Sequence, residues 1–235
     1  MKERLDKYVS DQILHSRRDS KKAIKDKRVT VNGAVSTDPG QSIIPDADVI
    51  ALDGMAVNNY KEHVYYMLNK PSGVVSATTD RAERTVIDLV PPELFRKGLF
   101  PAGRLDKNTT GLLIITDDGE FSHRMLSPNK HVVKKYIAEL DTEPDEEVSR
   151  RFEEGIVLPD GYACKSGRAE LLGDRRVAVY ISEGKFHQVK RMFSAIGYRV
   201  EKLRRVQIGV LELDPGLAEG EVRELTDDEI RMIFE

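Results

Sequence analysis

The sequence has a single cysteine, Cys164, among 235 residues. That excludes an internal disulfide framework and any multi-cysteine zinc site. No apolar run approaches the roughly 20 residues that a bilayer-spanning helix needs. Met1 to Ser20 carries charge throughout and lacks the apolar core of a secretory leader. There is no Gly-rich nucleotide loop, internal repeat or low-complexity tract, and His15, His63, His123 and His131 do not cluster by spacing. No metal site, no cofactor and no membrane partner are therefore expected, and the cytoplasm is the expected compartment. Net charge is scarce too. With 37 Lys+Arg against 40 Asp+Glu the total is −3, too little to hold a nucleic acid by bulk charge.

What is present is an ordinary globular composition, 40% hydrophobic and 33% charged, with an uneven distribution of charge. Ser16 to Arg28 carries seven basic residues against two acidic, and Lys185 to Arg205 seven against one. The compensating acid lies in Asp141 to Asp160 and in Glu212 to Glu235. A single basic run is most simply a solvated helix face. Two of them on a slightly acidic chain favour a polyanion-facing side, provided that they meet in space.

Residues 1 to about 58 read as a small α+β module. Leu5, Tyr8, Val9 and Ile13 share a helical face, and Ser16 followed by Asp19 opens a second helix running to about Asp26. Val29–Val31, the dipeptide Asn32-Gly33, and Ala34-Val35 form a strong hairpin signal. Asp48 to Leu52 closes the unit as a strand. Arg17, Arg18, Lys21 and Lys22 lie on the second helix. This pattern, with its RVTVNGAV string, resembles the S4-like RNA-binding domain, and the resemblance implies that those four residues contact structured RNA.

Asn58 to Lys61 reads as a linker, and the remainder, 62–235, alternates strands and helices. Expected strands are Val64–Leu68, Gly73–Ala77, Gly111–Thr116, Tyr136–Leu140, Arg168–Leu172, Val177–Ser182, Tyr198–Leu203 and Val210–Leu213. Expected helices are Thr85–Leu89, Asp118–Leu126, Asp145–Glu154, Lys185–Ile196 and Asp227–Ile233. Short connections such as Leu171 to Val177 rule out parallel crossovers, so the fold class is α+β with a mixed, largely antiparallel sheet flanked by helices.

The densest polar segment is Phe100 to Gly119, where Arg104 and Asp106 sit in a loop before an apolar strand. A lone loop aspartate usually serves a turn or a cap. Here the whole string GRLDKNTTGLLIITDDG resembles the signature of the pseudouridine synthases, in the branch of the Rsu and Rlu types. LNKPSG at 68–73, the segment Val133-Lys134-Lys135-Tyr136, GKFHQVKRM at 184–192 and RVQIGVLEL at 205–213 match further motifs of that family, in order. The resemblance implies an isomerase that breaks the glycosidic bond of a uridine, turns the base and rejoins it through a ring carbon, with no cofactor.

Asp106 then corresponds to the nucleophile. Tyr136 corresponds to the ring that stacks on the base and assists proton removal, and Lys190 to the cation that orients the carboxylate. Arg104 corresponds to the arginine supporting the flipped-out base. Helix geometry keeps Arg191 off the site and sends it towards RNA or solvent, while His187 and Gln188 are assigned to binding. Cys164 reads as an ordinary thiol.

The Asp-Lys-Asn-Thr-Thr-Gly-Leu string, Phe121 to Arg124, Ser127-Pro128 and the acidic C-terminus point to the Rsu type. That implies small-subunit 16S ribosomal RNA, or a small-subunit assembly intermediate, as partner and a monomeric protein. The alternatives are the same isomerase on large-subunit 23S RNA and a non-catalytic RNA-binding assembly protein. The latter has no need of Asp106, Tyr136 and Lys190 together. A DNA-binding helix–turn–helix regulator would leave some 175 residues unexplained.

Overall fold

The computed structural model describes residues 2–14, 16–45, 47–57, 63–127 and 131–235. The linker expected at Asn58 to Lys61 lies outside the described residues, as do His15 and Pro128. The chain divides into two compact units: residues 1–63 with Glu93–Gly98, and residues Val64–Pro92 with Leu99–Glu235.

The first unit runs β1 (Glu3–Arg4), α1 (Leu5–Val9), a π-helical turn (Ser10–Leu14), α2 (Arg17–Lys25), β2 (Val29–Val31), β3 (Ala34–Val35), β4 (Ser42–Ile43), β5 (Ile50–Leu52) and β6 (Met55–Ala56). Strands β3-β2-β5-β6 form one antiparallel sheet, and β1 pairs with β4. The Asn32-Gly33 turn takes the doubly positive φ of a tight hairpin, 53° and 80°. Asn32 also fixes its surroundings, accepting from the Val49 N–H at 2.7 Å. Ser16 caps α2 by accepting from the Asp19 N–H. Leu5, Tyr8, Val9, Ala23, Ile24, Val29, Ile43 and Ile50 close the core. Ile13 does not join them and is exposed. The wider π turn after Val9 shifts the helical phase, so the expected i+4 position no longer faces inward.

The second unit contains β7 (Tyr65–Lys70), a 3₁₀ turn (Ile87–Leu89), β8 (Phe100–Ala102), β9 (Thr109–Thr116), α3 (Gly119–Leu126), β10 (Lys134–Leu140), α4 (Glu147–Glu154), β11 (Arg168–Gly173), β12 (Arg176–Ile181), α5 (Gln188–Ala195), β13 (Val200–Ile208), β14 (Leu211–Glu212), β15 (Val222–Glu224) and α6 (Asp227–Met232). Its sheet has the order β11-β12-β10-β13-β9-β7-β15, with β14 on β13 and β8 on β9. Only the β13–β9 pairing is parallel. The sheet is thus mixed and largely antiparallel, and the α+β class holds.

Strand β9 is buried from Gly111 to Thr116, as its uninterrupted apolar run demands of a central strand covered on both faces. Met67, Leu112, Ile114, Phe121, Met125, Ile208 and Ile233 form a core on one side of it. Phe152 of α4 meets Phe193 of α5 at 5.1 Å between ring centres.

Two expected elements are absent, each for a local reason. Gly73–Ala77 is no strand: it makes a single bridge, Val75 to Thr85, because the Gly73 N–H is taken by the Lys107 carbonyl. The helix expected at Thr85–Leu89 shrinks to a 3₁₀ turn. The Asp88 carboxylate captures both the N–H and the hydroxyl of Thr85, and Pro91 and Pro92 stop continuation.

Gly111 allows the parallel pairing. Its φ is +99°, and a Cβ there would lie 2.1 Å from the Arg205 carbonyl oxygen of β13. Gly161 has a similar φ of +85° but open space around it. Gly111→Ala is expected to destabilise the fold by about 3 kcal/mol or more, against roughly 1 kcal/mol for Gly161→Ala. Thermal melts of the two variants check this; equal losses would mean that backbone conformation alone matters at both positions.

Candidate active site

The loop between β8 and β9 carries Asp106, and a preceding segment holds it. Ser76 Oγ donates to the Leu105 carbonyl at 2.9 Å and accepts from the Leu105 N–H at 3.1 Å. The Lys70 side chain is fully buried, and its ammonium donates to the carbonyls of Pro71, Lys107 and Thr109 at 3.0, 3.1 and 3.0 Å. Three acceptors match the three donors of an ammonium. Burial pushes the Lys70 pKa down to about 8; Asp106 acts in the opposite direction and Lys190 adds to the lowering.

The Asp106 carboxylate is reached by two side chains from the start of α5. Lys190 Nζ is 3.2 Å from Oδ2, and His187 Nε2 is 3.4 Å from Oδ1. His187 occupies the left-handed region at φ 50°, so the helix begins at Gln188 rather than at Lys185. Gln188 fixes that turn. Its Oε1 accepts from the Lys185 N–H at 2.8 Å, and its Nε2 donates to the buried Glu183 at 2.5 Å. Glu183 also accepts from Tyr162 Oη and the Lys165 N–H. Gln188 thus uses its amide within the protein while also lining the cavity described below. Arg191, about 100° further round the helix, lies at 2.5 Å from Asp160. It is turned from Asp106 as expected, but tied to an acid rather than free.

Tyr136, Arg104, Leu105, Asp106, Thr109 and His187 are among the residues around a cavity of about 60 Å³. An adjoining groove of about 380 Å³ shares Arg104, Asp106 and His187 and adds Ser76, Lys107 and Phe186. Near Tyr136 lie two buried cations. Arg205 Cζ is 6.0 Å from the ring centre, its Nε donates to the Leu112 carbonyl, and its Nη2 has no hydrogen-bond partner among the described residues. Lys134 is 7% exposed and two residues from Tyr136 on the same buried face of β10. Burial, reinforced by Arg205, pushes its pKa down from 10.5 to about 8.

In the first unit, α2 exposes Arg17, Arg18, Lys21 and Lys22. They are not equivalent. The Asp6 side chain is fully buried and draws Arg17 to 3.4 Å and Lys21 to 3.9 Å, besides its main partner Arg4 at 3.0 Å. The Arg4 hydrogen bond holds the Asp6 carboxyl below its ordinary range. Arg18 and Lys22 make no ion pair among the described residues.

The pocket thus holds a carboxylate between a lysine and a histidine, beside a tyrosine. The family model of the RNA pseudouridylate synthases matches residues 64–195, and that of the S4 domain residues 3–48. The chain belongs to the RNA pseudouridylate synthase family. It is 41% identical over 236 residues to the Bacillus subtilis protein named "Uncharacterized RNA pseudouridine synthase YtzG", covering 99% of this chain and 98% of the other. It is 39% identical to "Ribosomal small subunit pseudouridine synthase A" of Escherichia coli, covering 98% and 99%. A solved structure titled "Crystal structure of pseudouridylate synthase" superposes with a TM-score of 0.69 at 38% identity, covering 98% and 99% of the two chains. This pseudouridine synthase is accordingly an isomerase acting on RNA. Among its described residues no helix is long and apolar enough to cross a membrane.

Sequence reasoning placed Asp106, Tyr136, Lys190, Arg104 and His187 together, and the fold brings them together. It missed Lys70, Ser76, Lys134 and Arg205. Lys70 and Lys134 stood inside the quoted strings LNKPSG and VKKY; the remaining signal, burial, is not local.

Lys134 gives a test of the energetics. Its folded pKa lies below its unfolded one, so between about pH 8 and 10.5 the unfolded chain binds more protons and stability rises with pH. Lys134→Met removes a buried charge that no acid balances. It is expected to raise stability at pH 7 by about 1–3 kcal/mol and to flatten the rise between pH 8 and 10. Denaturant titrations across that range check both signs.

Proposed function

We propose that this pseudouridine synthase converts one uridine of small-subunit 16S ribosomal RNA, free or in an assembly intermediate, into pseudouridine. Asp106 is the nucleophile, and no cofactor takes part. The observation that carries the mechanism is the Asp106 carboxylate held by Lys190 and His187 at the mouth of the cavity beside Tyr136. Supporting the substrate are the full-length relatives named for the small ribosomal subunit and the acidic C-terminal segment.

Ribose C1′ loses its bond to N1 of the base and gains one to C5. The C5 proton leaves and N1 gains a proton, so the product is an isomer and no electrons are exchanged. Asp106 attacks the nucleoside or stabilises the opened sugar. Lys190 fixes the carboxylate's direction in a pocket with little water. Tyr136 stacks on the base, its hydroxyl assisting departure of the C5 proton. Arg104, exposed and without an ion pair among the described residues, supports the displaced base or strand. Residues 1–58 serve as the RNA-capturing domain and 62–235 as the catalytic one. The protein acts as a monomer in the cytoplasm.

Mapping pseudouridine along ribosomal RNA with and without the protein tests the substrate: a change confined to the large subunit would overturn it. Asp106→Asn keeps size but removes charge and nucleophilicity. Pseudouridine formation should fall by several orders of magnitude with RNA affinity nearly kept. A loss below about tenfold, roughly 1.4 kcal/mol of barrier, would place the nucleophile elsewhere.

Replacing Arg17, Arg18, Lys21 and Lys22 together by alanine should weaken RNA binding and flatten its salt dependence, with turnover at saturating RNA nearly unchanged. Arg18 and Lys22 should account for most of the effect, since Asp6 already neutralises part of Arg17 and Lys21. Binding as tight as the parent's at both low and high salt would exclude this helix from RNA capture.

A further inference from the structure

Phe186 is the most solvent-exposed large hydrophobic residue among those described, at 74% of its full surface. It lies in the turn that delivers His187 to Asp106. Its ring stacks on His187, with centres 3.8 Å apart and planes 18° from parallel. One face is covered by the imidazole, and the ring borders the groove shared with Arg104, Lys107 and Lys185. Isomerisation uses only the carboxylate, the tyrosine and their supports, so it leaves this aromatic unexplained.

The turn is built, not loose. His187 holds a left-handed conformation, which costs a non-glycine residue about 1 kcal/mol or more. The Gln188 clamp on Glu183 and on the Lys185 N–H maintains it. The result aims the imidazole at the carboxylate and turns the phenyl ring outward one ring-spacing away. A flat apolar ring, backed by a second ring and bordered by cations, offers a stacking surface for a nucleobase while the cations meet its phosphodiesters. An acidic or purely aliphatic ligand would use one of these features and waste the other.

We infer that the Phe186–His187 stack is a platform for the base of the nucleotide immediately next to the target uridine, and so a determinant of sequence context. This rests on the proposed uridine chemistry at Asp106 and adds a second base site to it. When the target uridine enters the pocket its neighbour loses a stacking partner, and Phe186 replaces that partner at the cleft edge.

The test uses the full-length protein and the shortest ribosomal RNA fragment that the unaltered protein modifies. Steady-state rates are measured for the parent, Phe186→Ala, Phe186→Leu and Phe186→Tyr, each with the intact fragment and with an abasic site on either side of the target. Phe186→Ala should raise KM about tenfold, from the worth of one base–aromatic stack, with kcat within about twofold. Phe186→Tyr should behave as the parent and Phe186→Leu as the alanine variant. An abasic site on one side should cost the parent the same tenfold and cost Phe186→Ala nothing further.

Additive losses, full recovery by leucine, or a KM unchanged in Phe186→Ala would each overturn the platform. Melting temperatures of the variants within about 2 °C of the parent confirm an intact fold; a larger drop would make Phe186 a structural residue and overturn it too. A parent that modifies only large-subunit fragments overturns the substrate assignment instead, and the same cycle on that fragment still decides the platform.

Discussion

A single buried ammonium organises the catalytic end of this protein. Lys70 ends β7, the neighbour of β9 in the sheet, and its three donors are used on carbonyls at 71, 107 and 109. Those carbonyls lie in the chain leaving β7 and in the loop that enters β9, so one side chain ties two segments that would otherwise expose unpaired backbone. An apolar residue would leave three buried acceptors without donors, each costing about 1–3 kcal/mol. Removing the charge is thus more expensive than keeping it, although burial lowers the Lys70 pKa. Ser76 completes the arrangement by closing both polar groups of Leu105. Asp106, the next residue, is left with a fixed backbone and a side chain that Lys190, His187 and Thr109 approach.

Charge in the second unit is sorted by depth. The exposed ion pairs, such as Lys202 with Glu139 and Arg204 with Glu219, sit in water, where such pairs contribute little. The buried charges are a different population. Glu183 accepts from three donors, whereas Lys134 and Arg205 lie in a buried region and form no ion pair among the described residues.

Much of this was legible in the sequence, for identifiable reasons. Asn32-Gly33 needed a turn of positive φ and formed one, and the apolar run after Gly111 became the most buried strand. The spacing of Lys190 and Arg191 turned them to different sides of α5, about 100° apart, to Asp106 and to Asp160. What could not be read depends on contacts across the fold. Gly73–Ala77 has the pattern of a strand, but its hydrogen bonds are divided between the Asp106 loop, through Gly73 and Ser76, and residues 84 and 86, through Val75. Phe100–Ala102 and Val222–Glu224 are three-residue strands, too short to show a period. Gln188 looked like an amide free to read a base. Its real partner, Glu183, lies five residues back around a turn whose left-handed residue no propensity marks.

The strain at His187 is local and unfavourable, and it persists because Gln188, Glu183, Tyr162 and Lys165 form a network in which each polar atom already has a partner. Relaxing φ at residue 187 would require breaking several of those bonds at once. The imidazole therefore stays against the carboxylate, with the exposed ring of Phe186 stacked on it. The Asp106 carboxylate is thus held from two directions. Lys70 fixes the backbone beneath it, and the start of α5 fixes the Lys190 and His187 side chains facing it. Both supports come from segments far from Asp106 in sequence, so its position depends on the folded unit rather than on its own loop.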